Sequence, residues 1–530
     1  MNDSNPEAPT GRFPTFKLLF HWLFNWRKIR ACLFALVCLA TIVALLYAEE
    51  NSRGARAEAK YRRELEAKGE SLDYRRFVPA PVPDEQNFAE TPFFAPLFDF
   101  LPGTQKARDT NAWQRSTDFG KGFPGIPQRV GWEGGKKIDL IACHAAFEEA
   151  RKESSAAGAM SPTQAAEAIL QDLKEYDPVL NELRAASHRP HSRFNLNYEL
   201  DNPAGIFIPH LAKVKSLCLI LKLRAAAELE LGRIEPAAGD VDLMLCLTDS
   251  IKNEPILISH LVRIACLQIS MQAVWEGLVT HKWPDAQLQT WQARLQQFDF
   301  ISDLQFAFRA ERAWGNRIID WVKNGRRPGD YFSALTAGND DETLAAFAFS
   351  YCPRGWFDFE KLGYYRLFED STFSGFDAHS RRINPSVSVG NQERLEKSLG
   401  GWAFGSLTRH RVFARLLIPA IVNVHRKFAL AQTIVDETGI ACALERYRLA
   451  NGQYPEKLEV LVPRFLGRIP NDVISGGPLR YGRPDGAQFV LYSVGWNEKD
   501  DGGTAVPAKG KSPALDFTQG DWVWQFPAGR

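Results

Sequence analysis

The chain contains 530 residues, of which 45% are hydrophobic and 24% are charged, and its formal net charge is +1. A chain of this length can bury a large core and can hold two domains beyond a membrane anchor. Proteins that bind nucleic acid normally carry a strongly basic face. Because the charges balance and no long Lys/Arg block occurs, we exclude nucleic acid as a partner.

The first predicted element is a transmembrane helix at residues 31–48, which contain no charged side chain. An α-helix rises about 1.5 Å per residue, so this run spans roughly 27 Å, close to the hydrocarbon thickness of a bilayer. A cleavable signal peptide is the alternative. An uncleaved anchor fits better, because residues 1–30 form a long aromatic and basic segment rather than a short basic leader.

The charges beside this run predict the orientation of the chain. Arg27, Lys28 and Arg30 precede the run, whereas Glu49 and Glu50 follow it. Because basic residues favour the cytoplasmic side, we expect a single-pass protein of the cytoplasmic (inner) membrane, with its N-terminus inside and the bulk of the chain extracytoplasmic. The aromatic and basic segment would then lie at the cytoplasmic surface of the lipid bilayer, which is the first expected partner.

Two connecting segments follow the anchor. Residues 49–76 mix acidic and basic side chains with good helix formers, which predicts a solvated helical stalk. Residues 77–133 are rich in proline and phenylalanine, and the repeated prolines predict an extended path. We expect the chain's own helical domain to cover the phenylalanines of this segment, with another protein as the alternative. These phenylalanines are Phe88, Phe93, Phe94, Phe98 and Phe100.

An α-helical domain is predicted at residues 134–407. Prolines that suit a first helical turn mark the helix starts, namely Pro162, Pro236, Pro255 and Pro284. The segment 211–231 is apolar on almost every side and should be the central helix. Its neighbourhood is similar to one tetratricopeptide hairpin, but no second copy follows, so we expect an α-helical bundle or irregular solenoid. After Arg326, glycines and prolines predict a looser chain until about Thr408.

The last part of the chain, residues 408–530, predicts a small α+β domain. A long helix ends at Asn451-Gly452, since both residues tolerate a positive φ. Two strand-like segments follow, at 479–481 and 488–494. We therefore expect a long helix packed on a small antiparallel sheet, with the tryptophan-containing tail packed back on that sheet.

These residues resemble the globular domain of the major (G-type) pseudopilin of type II secretion. The shared features are a helix ending in Tyr-Arg-x-x-Asn-Gly-x-Tyr-Pro at 447–455, a turn before Leu-Arg-Tyr at 479–481, and Leu-Tyr-Ser-Val-Gly at 491–495. The resemblance covers about residues 430–505 and implies a pseudopilin-like α+β fold. Pseudopilins carry a methylated N-terminal segment continuous with this helix. Since that motif is missing here, the resemblance does not imply assembly into a fibre.

The resemblance also implies a cofactor. In the pseudopilin family an acidic, glycine-rich loop binds calcium, and the matching loop here is 497–503. The implied calcium ligands are Asn497, Glu498, Asp500 and Asp501, whose hard oxygen donors are those that calcium prefers. A solvated acidic turn that binds no ion is the alternative.

Common catalytic signatures are missing from the sequence. It has no His-Glu-x-x-His, Gly-x-Ser-x-Gly or Ser-x-x-Lys motif. The Gly-Lys-Ser at 510–512 lacks the upstream glycine of a phosphate-binding loop, because Ala505 stands there, and we interpret it as a plain loop. Arg309, Glu311 and Arg312 are expected to form salt bridges rather than a catalytic pair.

His188 and His191 form the close histidine pair of the sequence, and His144 and His210 could approach them in space. Zinc needs three or four such ligands on a rigid frame. Because Pro190 places the pair in a turn, solvated or capping histidines are the expected outcome, with a zinc site as the alternative. The six cysteines outside the membrane run are widely spaced. We expect them to be small core residues, and a disulfide between two of them is left open.

The expected function is that of a membrane-anchored scaffold or protein-interaction protein at the bacterial envelope, with envelope proteins as partners and no evident catalytic activity. An accessory role in a type II secretion or pilus-like system is the first alternative. A metal-dependent hydrolase that uses His188 and His191 is the second. The whole chain also resembles membrane-anchored bacterial proteins without an assigned activity, which implies no mechanism.

Overall fold

A computed structural model describes residues 26–104, 106–127, 131–152, 160–325, 329–332, 349–400, 409–418, 423–484, 488–509 and 515–526. The protein is mainly helical, with 63% helix and 6% strand, which confirms the prediction of a mainly α protein. The helices are α1 (Trp26–Ala67), α2 (Thr110–Asp118), α3 (Leu140–Arg151), α4 (Pro162–Asp172), α5 (Asp177–Ala186), α6 (Pro209–Glu230), α7 (Ile234–Ser250), α8 (Leu257–Val279), α9 (Asp285–Leu295), α10 (Phe300–Asn324), α11 (Arg354–Thr372), α12 (Pro385–Leu399), α13 (Val412–Leu417) and α14 (Val424–Asn451). The strands are β1 (Phe376–Asp377), β2 (Arg382–Ile383), β3 (Arg480–Gly482), β4 (Val490–Ser493), β5 (Ala505–Pro507), β6 (Leu515–Gly520) and β7 (Trp522–Trp524).

Helix α1 joins the predicted membrane run and most of the predicted stalk into one continuous helix of 42 residues. Large side chains of its apolar half are exposed, among them Phe34 at 71% and Leu45 at 64%. Apolar side chains exposed all round a helix are typical of a membrane span. By length and composition α6 and α8 could also cross a membrane. Parts of both are buried inside the protein, however, whereas the apolar window of α1 is not buried at all.

The second half of α1, from Glu49 on, contains the charged residues of the predicted stalk. It is not a solvated stalk, because it packs along α11. Asn51 Oδ1 accepts a hydrogen bond from the Gly355 N–H at 2.7 Å. Further along, the ring of Tyr61 stacks on Tyr365 with centroids 5.3 Å apart. Because a later residue of α1 contacts a later residue of α11, the two helices are parallel. The contact uses glycine, tyrosine and ion pairs instead of an apolar stripe, so the sequence pattern did not indicate it.

Two glycines bring α1 and α11 into backbone contact. A Cβ atom at Gly54 would lie 2.3 Å from the carbonyl oxygen of Gly355, and a Cβ atom at Gly355 would lie 2.2 Å from the carbonyl oxygen of Glu50. A backbone oxygen cannot move away as the end of a flexible side chain can. Glycine is therefore required at both positions for the helices to approach this closely.

The proline- and phenylalanine-rich segment forms short 3₁₀ turns followed by α2. Phe88, Phe93 and Phe94 are buried. The rings of Phe94 and Phe98 lie 5.2 and 6.1 Å from the ring of Phe194, which belongs to the helical body. The chain itself therefore covers these aromatic side chains, as we expected.

Helices α6, α7 and α8 form the centre of the helical body, and each packs on the other two. On α6, Val214, Cys218 and Leu221 are completely buried, which confirms the prediction of a central helix. The predicted helix starts are also observed. At α4, for example, Ser161 and Gln164 form a reciprocal capping box around Pro162.

The described residues after Arg326 are more regular than their glycines and prolines predict. Helices α11 and α12 form there, with Pro353 at the N-cap of α11 and Pro385 in the first turn of α12. Gly363 lies within α11, where a Cβ atom would be 2.1 Å from the carbonyl oxygen of His410. The prediction of a loose chain was wrong for these residues, because the prolines begin helices and the glycine permits a close contact.

The C-terminal region contains the predicted long helix and small antiparallel sheet. Helix α14 ends at Gly452, whose φ is 80°. The strand order is β3-β4-β7, with Tyr481 opposite Leu491 and Tyr492 opposite Val523. Strands β4 and β7 contact α14. The two predicted strands and the return of the tail to the sheet are confirmed, and β5 and β6 add a separate antiparallel pair.

Helix α14 also connects the C-terminal sheet with the helical body, because it packs on α8, α9 and α10. The buried apolar side chains of the two regions form one continuous core.

The cysteines occupy the core positions that we expected. All eight are free, and Cys143, Cys218, Cys266 and Cys442 are buried. Burial raises the pKa of the Cys143 thiol to about 12, which keeps it protonated.

Candidate functional site

An open cleft of about 1440 Å³ lies between α8, α14 and the β5–β6 pair. Its floor belongs to the two helices and its roof to the two strands. The residues that line it are Leu261, Ile264, Ala265, Gln268, Arg426, Lys427, Leu430, Asn497, Lys499, Asp501, Thr504, Val506, Ala508, Lys509 and residues 515–520.

Helix α8 gives the floor an apolar stripe. Leu261, Ile264, Ala265 and Gln268 line the cleft at spacings of three and four residues, so they share one face of the helix. From α14, Leu430 continues this surface, and it is buried like Ile264. The floor can therefore hold apolar groups of a bound molecule, with Gln268 as a hydrogen-bonding position at one end.

The roof of the cleft is the short antiparallel pair of β5 and β6, in which Ala505 lies opposite Gly520 and Pro507 opposite Leu515. Gly520 has a φ of 70°, and a Cβ atom there would lie 2.6 Å from the carbonyl oxygen of Thr504. Glycine is therefore needed for the chain to turn from β6 into β7 at the edge of the cleft.

The cleft has an excess of positive charge. Arg426, Lys427, Lys499 and Lys509 line it, and within the described residues none of them forms a salt bridge. Burial lowers the pKa of the Arg426 guanidinium, an effect that the charge of Asp516 opposes. A cation that is partly removed from water without a close ion pair favours an anionic group of a ligand.

The two carboxylates in the cleft are engaged with the chain itself. Asp516 accepts hydrogen bonds from the N–H and the hydroxyl of Thr518, at 2.9 and 2.6 Å. These bonds lower the pKa of Asp516. Asp501 accepts a hydrogen bond from the Asn497 side-chain amide at 2.8 Å. Four cationic side chains thus face these two carboxylates, and the cleft keeps an excess of positive charge, although Asp516 attracts Arg426 and Lys509.

The four residues of the predicted calcium site lie on one loop but bind different partners. Asp500 accepts hydrogen bonds from the Gly502 N–H at 3.1 Å and from the Tyr492 hydroxyl at 3.0 Å. These two bonds lower the pKa of Asp500. Glu498 accepts a hydrogen bond from the hydroxyl of Ser386 on α12.

A carboxylate outside the predicted set holds this loop together. Asp521 accepts hydrogen bonds from the N–H groups of Asp501, Gly503 and Thr504 at 3.2, 2.7 and 3.2 Å, and its residue is only 3% exposed. Burial raises its pKa, and the three N–H donors oppose the shift. The sequence analysis missed Asp521, because a single aspartate between β6 and β7 matches no motif.

No group of three or more His, Cys, Asp or Glu residues is placed to hold a metal ion within the part of the chain that the structure describes. Calcium binding by Asn497, Glu498, Asp500 and Asp501 therefore stays a prediction from the resemblance. Within the loop, Asp521 accepts hydrogen bonds from three backbone N–H groups.

The four histidines considered as zinc ligands have separate partners. His188 and His191 are exposed, and the backbone of His191 forms a bridge with Asn87. His144 Nε2 lies 3.3 Å from the Glu148 carboxylate. His210 Nε2 lies 2.7 Å from a carboxylate oxygen of Glu254, and its ring stacks on Phe194.

The charged group on α10 forms the expected salt bridges. Arg309 and Arg312 both donate to the carboxylate of Glu70, at 2.9 and 2.6 Å. Glu311 lies apart from this pair, and burial raises its pKa to about 7. Two other candidates, the Gly-Lys-Ser at 510–512 and the N-terminal segment up to residue 25, lie outside the described residues.

Comparison of the chain with protein-family models, with curated proteins and with solved structures found no match. The functional argument therefore depends on the fold and on the geometry of the cleft.

Proposed function

We propose that the protein is a membrane-anchored, extracytoplasmic scaffold of the bacterial envelope whose cleft binds an acidic, partly apolar segment of a partner protein. The observation that carries this proposal is the combination of an apolar floor with four cations that form no salt bridge within the described residues. Opposite charge on the partner would guide the encounter, and burial of apolar groups against the floor would stabilise the complex.

The size of the cleft favours a peptide segment over a small molecule. Pockets for small ligands usually enclose about 300–1,000 Å³ and bury most of the ligand. The cleft has a volume of about 1440 Å³ and is open to solvent. A chain segment can lie along such a groove with some side chains on the floor and others towards the cations.

The first alternative, an accessory role in a type II secretion or pilus-like system, is supported by the arrangement of α14 on β3, β4 and β7. A long helix on a small antiparallel sheet is what the pseudopilin resemblance requires. This role predicts co-purification with secretion components of the envelope. The described residues offer no observation that favours the second alternative, a metal-dependent hydrolase.

Peptide binding to the full-length protein in lipid nanodiscs tests the proposed function. Short fluorescent peptides that alternate leucine with aspartate are compared with peptides that alternate leucine with lysine, using fluorescence anisotropy. We expect the acidic peptides to bind more tightly than the basic ones, and we expect added salt to weaken their binding. The double variant Lys427→Glu/Lys509→Glu should weaken their binding about tenfold.

The matched control reverses two exposed lysines away from the cleft, Lys252→Glu/Lys457→Glu. It changes the net charge by the same amount and should leave peptide affinity almost unchanged. Equal affinity for acidic and basic peptides, or an equal loss in both double variants, would contradict the proposed function.

A further inference from the structure

The body of the protein meets α1 at the end of the apolar run, without a free stalk between them. The hydroxyl of Tyr47, near the end of that run, donates a hydrogen bond to the carbonyl oxygen of Tyr351. One turn later, Asn51 binds the Gly355 N–H at 2.7 Å. The first contacts of the body with α1 therefore occur where the helix leaves the hydrocarbon.

The rise of α1 places these contacts in the headgroup layer of a bilayer. From Tyr47 to Arg53 the helix advances six residues, or about 9 Å. The polar layer on each side of the hydrocarbon is about 5–8 Å thick, from the difference between the total and the hydrocarbon thickness. The contacts of the body with α1 therefore begin inside that layer, at Tyr47, and reach about its outer edge, at Arg53.

Exposed aromatic and basic side chains lie at this level. The side chain of Tyr351 is 65% exposed, and Arg354, at the start of α11, is exposed as well. The segment that carries exposed Arg409 is held beside α11, because the ring of His410 lies 5.2 Å from the ring of Phe359. Tyrosine and arginine are typical residues of a membrane interface.

Arg53 of α1 completes this group, with its guanidinium 5.9 Å from the ring of Phe359. We call Arg53, Tyr351, Arg354 and Arg409 the membrane face. Its three arginines outnumber the two acidic residues of α1 at the same level, Glu49 and Glu50.

Ion pairs fix the position of the body relative to α1. Lys361 of α11 lies 3.4 Å from Glu58 of α1 and 2.9 Å from Asp320 of α10, and its side chain is 4% exposed. Further from the membrane, the carboxylate of Glu70 forms salt bridges with Arg309 and Arg312. Separating such a pair would leave a buried charge without its partner, so these contacts hold the body against α1.

We propose that the membrane face rests in the headgroup layer of the bilayer that α1 spans, with the arginines bound to lipid phosphates and Tyr351 between them. This inference rests on the proposed membrane anchoring. It goes beyond that anchoring because it places the whole body directly against the membrane surface. Arginine suits this contact because its planar guanidinium can bind a phosphate through two hydrogen bonds.

Photo-cross-linking to lipid tests the membrane face. p-Benzoyl-phenylalanine is introduced at position Tyr351 of the full-length protein in nanodiscs of phosphatidylethanolamine and phosphatidylglycerol, and adducts are identified by mass spectrometry. Val37 in the apolar run is the positive control, and exposed Val460, on the turn after α14, is the negative control. Position Arg409 is a second test site in case the change at Tyr351 disturbs folding.

We expect lipid adducts at positions 37, 351 and 409, and at least tenfold fewer at position 460. Adducts at position 37 with none at 351 and 409 would overturn the membrane face but leave the anchoring intact. Missing adducts at position 37 would overturn the anchoring itself. Protein adducts in place of lipid adducts at 351 and 409, or equal lipid yields at all positions, would also contradict the proposal.

Discussion

Asp521 shows how one carboxylate organises the acidic loop beside the cleft. It receives three backbone N–H groups, and its residue is almost completely buried. The loop's own acidic side chains bind other partners, such as Tyr492 and Ser386. Asp521 therefore sets the conformation of the loop, although it lies further along the chain, after β5 and β6.

We predict that Asp521→Ala destabilises the protein by about 2–3 kcal/mol, because it leaves three backbone N–H groups without their acceptor. Urea unfolding followed by circular dichroism measures this change. Asp500→Ala, on the exposed side of the same loop, is the control and should have a much smaller effect. If the two variants unfold at the same urea concentration, Asp521 does not hold the loop.

The resemblance to pseudopilins makes a separate prediction for the same loop. A calcium ion bound to the folded state must raise its stability, so millimolar calcium should raise the melting temperature relative to chelator. The increase should disappear in Asp500→Asn/Asp501→Asn, which removes the charges of two predicted ligands. An unchanged melting temperature with calcium would contradict the predicted site.

The contact between α1 and α11 shows that an element can be placed by features that its sequence pattern hides. Glu58 of α1 lies between Arg62 and Lys361, and although burial opposes the shift, these cations hold its pKa below the ordinary value. Gly54 and Gly355 allow the two backbones to touch. Charged residues that predict a solvated helix thus form its packed face.

We predict that Gly355→Ala destabilises the protein by about 1–3 kcal/mol, because the new Cβ atom would meet the backbone of α1. Gly390→Ala is the matched control, since a Cβ atom there has no neighbour within 4 Å. Alanine favours a helix over glycine, so the control should be more stable than the wild type by up to about 1 kcal/mol. Equal changes of both variants in urea unfolding would contradict the close contact.

The helices that could be predicted from the sequence are those with local signals at their ends. Pro162 begins α4 and Gly452 ends α14, as the sequence indicated. In contrast, α11 and α12 were missed because Pro353 and Gly375 were interpreted as signs of a loose chain, whereas Pro353 is the N-cap of α11. The close neighbours of Gly355 and Gly363 within α11 could not be known from the sequence. Local signals define where an element begins or ends, but they do not show which backbone it must touch.

The cleft could not be predicted for a related reason. Its floor comes from α8 and α14 and its roof from β5 and β6, which are far apart in the sequence. The acidic residues of loop 497–503 were predicted as calcium ligands because their loop resembles that of pseudopilins. Arg426 and Lys427 were not, because two basic residues on a helix normally indicate only a solvated surface. Their importance depends on the strands that cover them.

In the part of the chain that the structure describes, a continuous core joins the helical region to the C-terminal sheet, and the helical region packs directly along α1. The membrane face lies at the start of α11, whereas the cleft lies between α8, α14 and the C-terminal strands. Because the two surfaces use different elements, the two proposed contacts, with the bilayer and with a partner, would be compatible with each other. This arrangement is what a scaffold at the envelope requires.

Cross-linking from the cleft itself tests this account most directly. The full-length protein in nanodiscs carries p-benzoyl-phenylalanine at position Gln268 or Lys427 in the cleft, or at the control positions Ile258 and Leu449, which are exposed on the same two helices. The acidic leucine–aspartate peptides are added before irradiation. We predict peptide adducts at positions 268 and 427 that the Lys509→Glu substitution reduces, and few at the controls. Equal yields at cleft and control positions would contradict a binding role for the cleft.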